Sequence, residues 1–113
     1  MRNNFIIINT LEELDKYLNK IYLNFPKKEY VLKEEIEKVI KNIYFNIYRI
    51  IYNYKYDLAI ETISLIKHLN NLIDSLYQKK IINNNKYLSI GNLLIKITKL
   101  LRGYINEKNK QSI

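Results

Sequence analysis

The apolar residues of this chain recur at intervals of three and four, the period of a helix buried along one face. Four such stretches follow one another. The last is the widest: between Asn83 and Lys108, Ile90, Leu93, Leu94, Ile97, Leu100, Leu101, Tyr104 and Ile105 fall on one side of a helical wheel. Lys96, Lys99, Arg102, Asn92, Asn106 and Lys110 fall on the other. An apolar arc of this width needs partner helices on more than one side.

The other three stretches supply those partners. In the first, Leu11, Leu14, Leu18, Ile21 and Tyr22 share a face. Thr10 reads as its N-cap and Glu13 as the second half of a capping box. Glu12, Glu13 and Asp15 would then lie at the positive end of the helix dipole. The stop is expected at Phe25-Pro26, because the residue before a proline avoids the helical region. The second helix is predicted over Tyr30–Tyr52, with Leu32, Ile36, Val39, Ile40, Ile43, Ile47, Ile50 and Ile51 as its stripe. Asp57 reads as the N-cap of the third, which runs to about Lys79 on Leu58, Ile63, Leu65, Ile66, Leu69, Leu72, Ile73, Leu76 and Tyr77. Asn83 caps the fourth, with Ile82 and Tyr87 at the hydrophobic-staple positions.

The run Phe5-Ile6-Ile7-Ile8 has strand character but no second strand to pair with, so residues 1–9 are expected to be a short lead, extended on the bundle or poorly ordered. The bundle then occupies 10–108, and a polar tail follows at 109–113. Short connections make neighbouring helices antiparallel. The expected fold class is all-α, an antiparallel up-down four-helix bundle.

A chain of 113 residues is long enough for one shared core. It has no cysteine, which removes disulfides and thiolate chemistry and fits a reducing compartment. No apolar run approaches the ~18 residues of a membrane span. A soluble cytoplasmic protein is expected. The net charge is +8 and the pI near 9.5, which points to an anionic partner and says nothing of the fold. Ile, Asn, Lys and Tyr supply 64 of the 113 residues, a bias that AT-rich codons produce by themselves. The placement of each lysine therefore carries more weight than their number.

Catalytic constellations are sparse. The chain has one histidine and two glycines, and the glycines, Gly91 and Gly103, stand alone within a helical pattern. His68 has Ser64, Leu65 and Asn71 as helical neighbours and no acid in reach along its own helix. It reads as a surface or boundary histidine. Glu12-Glu13 and Glu34-Glu35 read as first-turn acids. No enzyme, cofactor or metal is expected. Gly103 beside Tyr104 costs ~1 kcal/mol in a helix interior and suggests that another group packs close to it.

The cations are more informative. From Ile81 onward six Lys or Arg stand against the single acid Glu107. Lys96, Lys99 and Arg102 step by three along the polar face of the fourth helix. Lys79, Lys80 and Lys86 flank the preceding turn, and Lys41 and Arg49 add charge on the second helix. Such residues neutralise phosphates with little regard for sequence. As a solvated face they need no further explanation. Tyr44, Tyr48 and Tyr52 have stacking capacity, although core or interface is the commoner role at helical spacing.

Three features of the chain resemble the accessory variability determinant family of diversity-generating retroelements. The first helix ends in Phe25-Pro26-Lys27. The third ends in Lys79-Lys80-Ile81-Ile82 ahead of Lys86-Tyr87-Leu88. The closing segment runs Asn92-Leu93-Leu94-Ile95-Lys96-Ile97-Thr98-Lys99-Leu100-Leu101-Arg102-Gly103-Tyr104-Ile105. The resemblance spans about Thr10 to Asn106. The chain departs from the family pattern where Lys96 replaces a frequent acid, Thr98 a frequent glycine, Arg102 the first of paired glycines and Tyr104 a tryptophan. The resemblance implies a homo-oligomer, a ring-like pentamer, with a basic surface that binds a reverse transcriptase and its template RNA and supports mutagenic cDNA synthesis. By carry-over it places nucleic-acid contacts at Lys96, Lys99 and Arg102. The alternatives are a structural self-associating bundle and the related four-helix family of ribosomal RNA intervening sequences.

Overall fold

A computed structural model describes residues 2–111. It contains four helices, α1 (Arg2–Tyr22), α2 (Tyr30–Tyr52), α3 (Tyr56–Gln78) and α4 (Asn84–Gln111), with one 3-10 turn, Lys27–Glu29, before α2. No strand occurs among the described residues. The architecture is the all-α four-helix bundle that the apolar pattern predicts.

Each helix contributes a seam whose steps alternate between three and four residues. Ile7, Leu11, Leu14, Leu18 and Ile21 come from α1, and Ile36, Ile40, Ile43, Ile47 and Ile50 from α2. Ala59, Thr62, Ile66, Leu69, Ile73 and Leu76 come from α3, and Ile90, Leu94, Ile97 and Leu101 from α4. All are buried. Such spacing keeps one face turned to its neighbours along the whole length of a helix. The helices form a ring in which α4 packs on both α1 and α3, α3 packs on α2, and α2 returns to α1 through a sparser seam. The molecule measures 51 × 23 × 19 Å, one helix long and two helices wide in each cross direction.

The structure corrects the start of the bundle. Helix α1 begins at Arg2, so the described part of the expected lead is helical; Met1 lies outside the described residues. Ile7 continues the Leu11–Leu14–Leu18 seam one turn upstream and is buried in the core. Thr10 is therefore interior to the helix. Its Oγ1 donates to the Ile6 carbonyl at 2.7 Å and does not cap. Glu12 and Glu13 consequently stand mid-helix. At the other terminus α4 continues through Gln111, past the expected end at Lys108, while Ser112 and Ile113 of the expected tail lie outside the described residues.

The α2 bounds agree with the sequence reading at both ends. Helix α3 starts one residue before Asp57, on Lys55 as N-cap, with no side-chain cap. Its C-terminus is closed by main-chain bonds from Ile81 N to Leu76 O (2.9 Å) and Lys80 N to Tyr77 O (3.0 Å). This pairing is a Schellman motif, which needs a left-handed residue after the cap. Lys80 fills that position with φ +61°. A side chain there carries a steric cost that glycine avoids. Asn83 then caps α4 as expected, its Oδ1 accepting from Lys86 N at 2.9 Å.

Two tyrosine hydroxyls, of Tyr22 and Tyr54, are buried without a hydrogen-bond partner. An unsatisfied buried hydroxyl costs about 1–3 kcal/mol. Burial raises the Tyr22 phenol well above its ordinary value, with Glu37 and Asp15 adding to it. Burial likewise pushes Tyr44 up to about 12, helped by Asp15, Glu12 and Tyr48.

Two outcomes are expected. Replacing Lys80→Gly keeps the turn and raises stability by about 0.5–1 kcal/mol, read as a higher unfolding midpoint in denaturant. The second concerns alkaline pH. An unfolded phenol ionises near pH 10, while folded Tyr22 and Tyr44 remain protonated above that, so the unfolded chain binds fewer protons. Their contribution is complete below pH 10 and is lost as the pH rises toward 12. Thermal unfolding from pH 9 to 11.5 should show a smaller loss in the Tyr22→Phe, Tyr44→Phe double variant than in the parent chain.

Candidate nucleic-acid interface

A groove runs between α3 and α4. It follows from α4 having more to bury than one neighbour covers. On the edge of α4 nearest α3, Leu88, Gly91, Ile95, Thr98 and Arg102 succeed one another at three- and four-residue steps. Leu88 and Ile95 remain 52% and 54% exposed. From the α3 side the groove is lined by Ile66, Lys67, Asn70 and Asn71, and its volume is about 720 Å³.

Lys67, Lys99 and Arg102 bring three cations to this groove, and no carboxylate lines it. The remaining polar groups are the amides of Asn70, Asn71 and Asn92, the phenol of Tyr87, and the hydroxyl of Thr98, which donates to Leu94 O at 2.9 Å. The ammonium groups act as hydrated point charges. The guanidinium adds a planar fork that matches phosphate oxygens. Crowding of like charge in a concave surface raises the local concentration of anions.

The expected site residues are not one cluster. Lys99 and Arg102 share the groove. Lys96 is exposed but lies outside it, around the outward face of α4 toward α1. Lys79 is paired with Glu29 at 3.2 Å, an ion pair that ties the α1–α2 connection to the end of α3. Lys80 and Lys86 line a separate hollow at the end of the bundle with Tyr77, Gln78, Ile81, Ile82 and Asn83. Lys41 shares its hollow with Glu34 and Glu37, so its charge is locally balanced. Arg49 lies with its guanidinium 5.5 Å from the centre of the Phe45 ring.

Beside the turn between α3 and α4, side chains of the two helices pair with one another at one end of the groove. The Tyr77 and Tyr87 rings stack with centroids 4.4 Å apart. The Tyr87 hydroxyl donates to Asp74 Oδ1 at 2.6 Å, and this bond is the main cause of a raised Tyr87 pKa. Tyr77 in turn donates to Asn84 Oδ1 at 3.4 Å.

His68 is exposed, as expected, but the structure gives it an acid that its own helix lacks. Glu35 of α2 lies 3.4 Å from His68 Nε2. The expectation that something packs close to Gly103 is not met within the chain. A Cβ built at Gly103 or at Gly91 meets nothing within 4 Å, because both positions face outward. Among the described residues, no three His, Cys, Asp or Glu gather as metal ligands, and no helix is long and apolar enough to cross a membrane.

Lys67 is the groove residue that the sequence reading missed. It is the one cation of α3, between His68 and the polar face, and only its place opposite α4 gives it a role. Phe45 was missed too, since its position off the α2 stripe shows exposure but not the cation above it. No family model, no curated protein and no solved structure matches the chain.

Proposed function

We propose that this protein is a non-catalytic accessory protein of a diversity-generating retroelement, binding template RNA and the reverse transcriptase through its basic surface. The observation that carries the RNA reading is the α3–α4 groove, where Lys67, Lys99 and Arg102 converge without a carboxylate among the lining residues. The reverse transcriptase and the ring-like pentamer come from the resemblance of the closing segment and the Phe25-Pro26-Lys27 corner. The action is electrostatic: the groove holds a phosphate backbone in place, and the chemistry of cDNA synthesis belongs to the polymerase.

RNA affinity measured against salt tests the reading. A Lys67→Ala, Lys99→Ala, Arg102→Ala variant keeps its helicity and loses about 2 from the slope of log affinity against log salt, as expected for three phosphates on a single strand. Lys96→Ala alone leaves the affinity within about two-fold. Unchanged affinity and slope in the triple variant would remove the groove from the reading.

Self-association is the second reading, and it too has an observation behind it. Leu88 and Ile95 stand exposed one turn to either side of Gly91, whose missing side chain leaves a notch between them. Exposed apolar side chains around a small residue favour close approach of another helix. The parent chain is expected to have the solution mass of an oligomer, and Leu88→Asp with Ile95→Asp to reduce that mass at unchanged helicity. A monomeric parent chain would end this reading.

A further inference from the structure

The end of the bundle that holds the α1–α2 and α3–α4 connections has a composition of its own. The 3.2 Å pair of Lys79 with Glu29 ties one connection to the other. Residues 20–33 and 77–88 together carry seven lysines and a single acid, the Glu29 that Lys79 already holds. Lys33 lies over the rings of Tyr22 and Tyr30, at 5.4 and 4.8 Å. The other five, Lys20, Lys27, Lys28, Lys80 and Lys86, are exposed, and none of them joins an ion pair. The hollow that Lys80 and Lys86 line contains no carboxylate. The nearest further acids are engaged or face elsewhere. Asp74 accepts from the Tyr87 hydroxyl, and Glu34 shares its hollow with Lys38 and Lys41 on the side of α2. Asp15 stands more than a turn back along α1 from Lys20. The same end exposes aliphatic side chains. Leu23 and Val31 flank the α1–α2 connection at 83% and 80% exposure, the highest of the large aliphatic residues described. Tyr30 and Tyr77 are exposed there as well, while Ile21, Leu76 and Ile82 fill the inward positions.

An occupant of this end must offer negative charge and accept isolated aliphatic side chains. A second copy docked end to end would set these lysines against their equivalents, and like charges across an interface are costly. A nucleic acid offers phosphates, but it takes up side chains by stacking and at base edges, where Leu23 and Val31 have little to give. An acidic protein matches the charge, but protein contacts gather their apolar anchors into one packed centre. Here the Lys27–Glu29 turn separates Leu23 from Val31. An anionic lipid surface offers both requirements in layers: charged headgroups for the ammonium groups, and acyl chains just beneath for the aliphatic ones. Tyrosine suits the level between the two. We infer that this end of the bundle docks on an anionic lipid surface, with its unpaired lysines at the headgroups and Leu23 and Val31 inserted between them. The protein lies on the bilayer and does not span it, since no helix among the described residues is long and apolar enough to cross. Lys67 and Arg102 stand about three and five turns from this end, so the groove remains open while the lysines are engaged.

The test is co-sedimentation of the full chain with vesicles of phosphatidylcholine and phosphatidylserine, against vesicles of phosphatidylcholine alone. The parent chain should bind the mixed vesicles and not the neutral ones. Leu23→Gln with Val31→Gln removes the aliphatic groups at exposed positions, and Lys20→Gln with Lys28→Gln removes two charges. Each pair should weaken vesicle binding about ten-fold or more, at unchanged helicity and unchanged RNA affinity. The groove variant Lys67→Ala, Lys99→Ala, Arg102→Ala should keep its vesicle binding. A further variant reads insertion directly. The chain has no tryptophan, so Val31→Trp introduces one indole, whose emission moves to the blue in an apolar layer. A blue shift with the mixed vesicles and none with the neutral ones is the expected result. No binding of the parent chain to the mixed vesicles, or full binding by both Gln pairs, overturns the lipid contact and leaves the groove reading in place. Vesicle binding lost in the groove variant overturns it in favour of charge alone. RNA affinity lowered by the Gln pairs at unchanged vesicle binding overturns it in favour of a nucleic-acid contact. A fall in solution mass at unchanged vesicle binding overturns it in favour of a contact between copies.

Discussion

Everything in this molecule depends on four isoleucine- and leucine-rich seams being buried against one another at once. None can be satisfied in a pair, because α4 needs both α1 and α3 to cover its arc. Each seam keeps its phase over about three to five turns, so neighbouring helices stay in register and their polar faces become fixed surfaces. The groove is a by-product of that requirement. Once Ile66 and Leu94 turn inward, Lys67 and Arg102 have one place left to go.

The core was legible because it is periodic. Ile36 to Ile50 and Ile90 to Leu101 were read correctly from spacing alone, and the bounds of α2 followed. The start of α1 was misread for a physical reason. Three consecutive isoleucines favour strand by local preference, since β-branched side chains lose rotamer freedom in a helix. Only Ile7 of the three is in phase with Leu11 and Leu14, and tertiary burial of that one residue outweighs the local preference. Thr10 was taken for a cap because its side chain bonds main-chain groups equally well from inside a helix.

The site was legible in part. Lys99 and Arg102 were found from their own helix. Lys67 and the pairing of Glu35 with His68 were not, because each needs the facing of two helices that are distant in sequence. The same limit explains Lys79, whose partner Glu29 lies fifty residues away. A wheel shows which way a residue points but not what stands opposite. Gly103 shows the converse case: the sequence marked it as unusual, yet the fold of the single chain leaves the space around it open.

The uneven ring also bears on how the bundle comes apart. Because the seam between α1 and α2 is the sparsest of the four, α1 is held chiefly by α4, the element farthest from it in sequence. Peeling α1 away breaks one full interface and one thin one, and leaves α2, α3 and α4 still joined in series. The link between α1 and α2 spans residues 23–29, enough to act as a tether while the detached helix searches for a surface. The α4 surface of a neighbouring copy is identical to the one left behind. An exchange of α1 between two copies would rebuild the same α1–α4 seam, at the cost of little beyond the thin one. Hydrogen exchange in the native state is expected to register the first helix leaving on its tether before it reaches the α3–α4 turn.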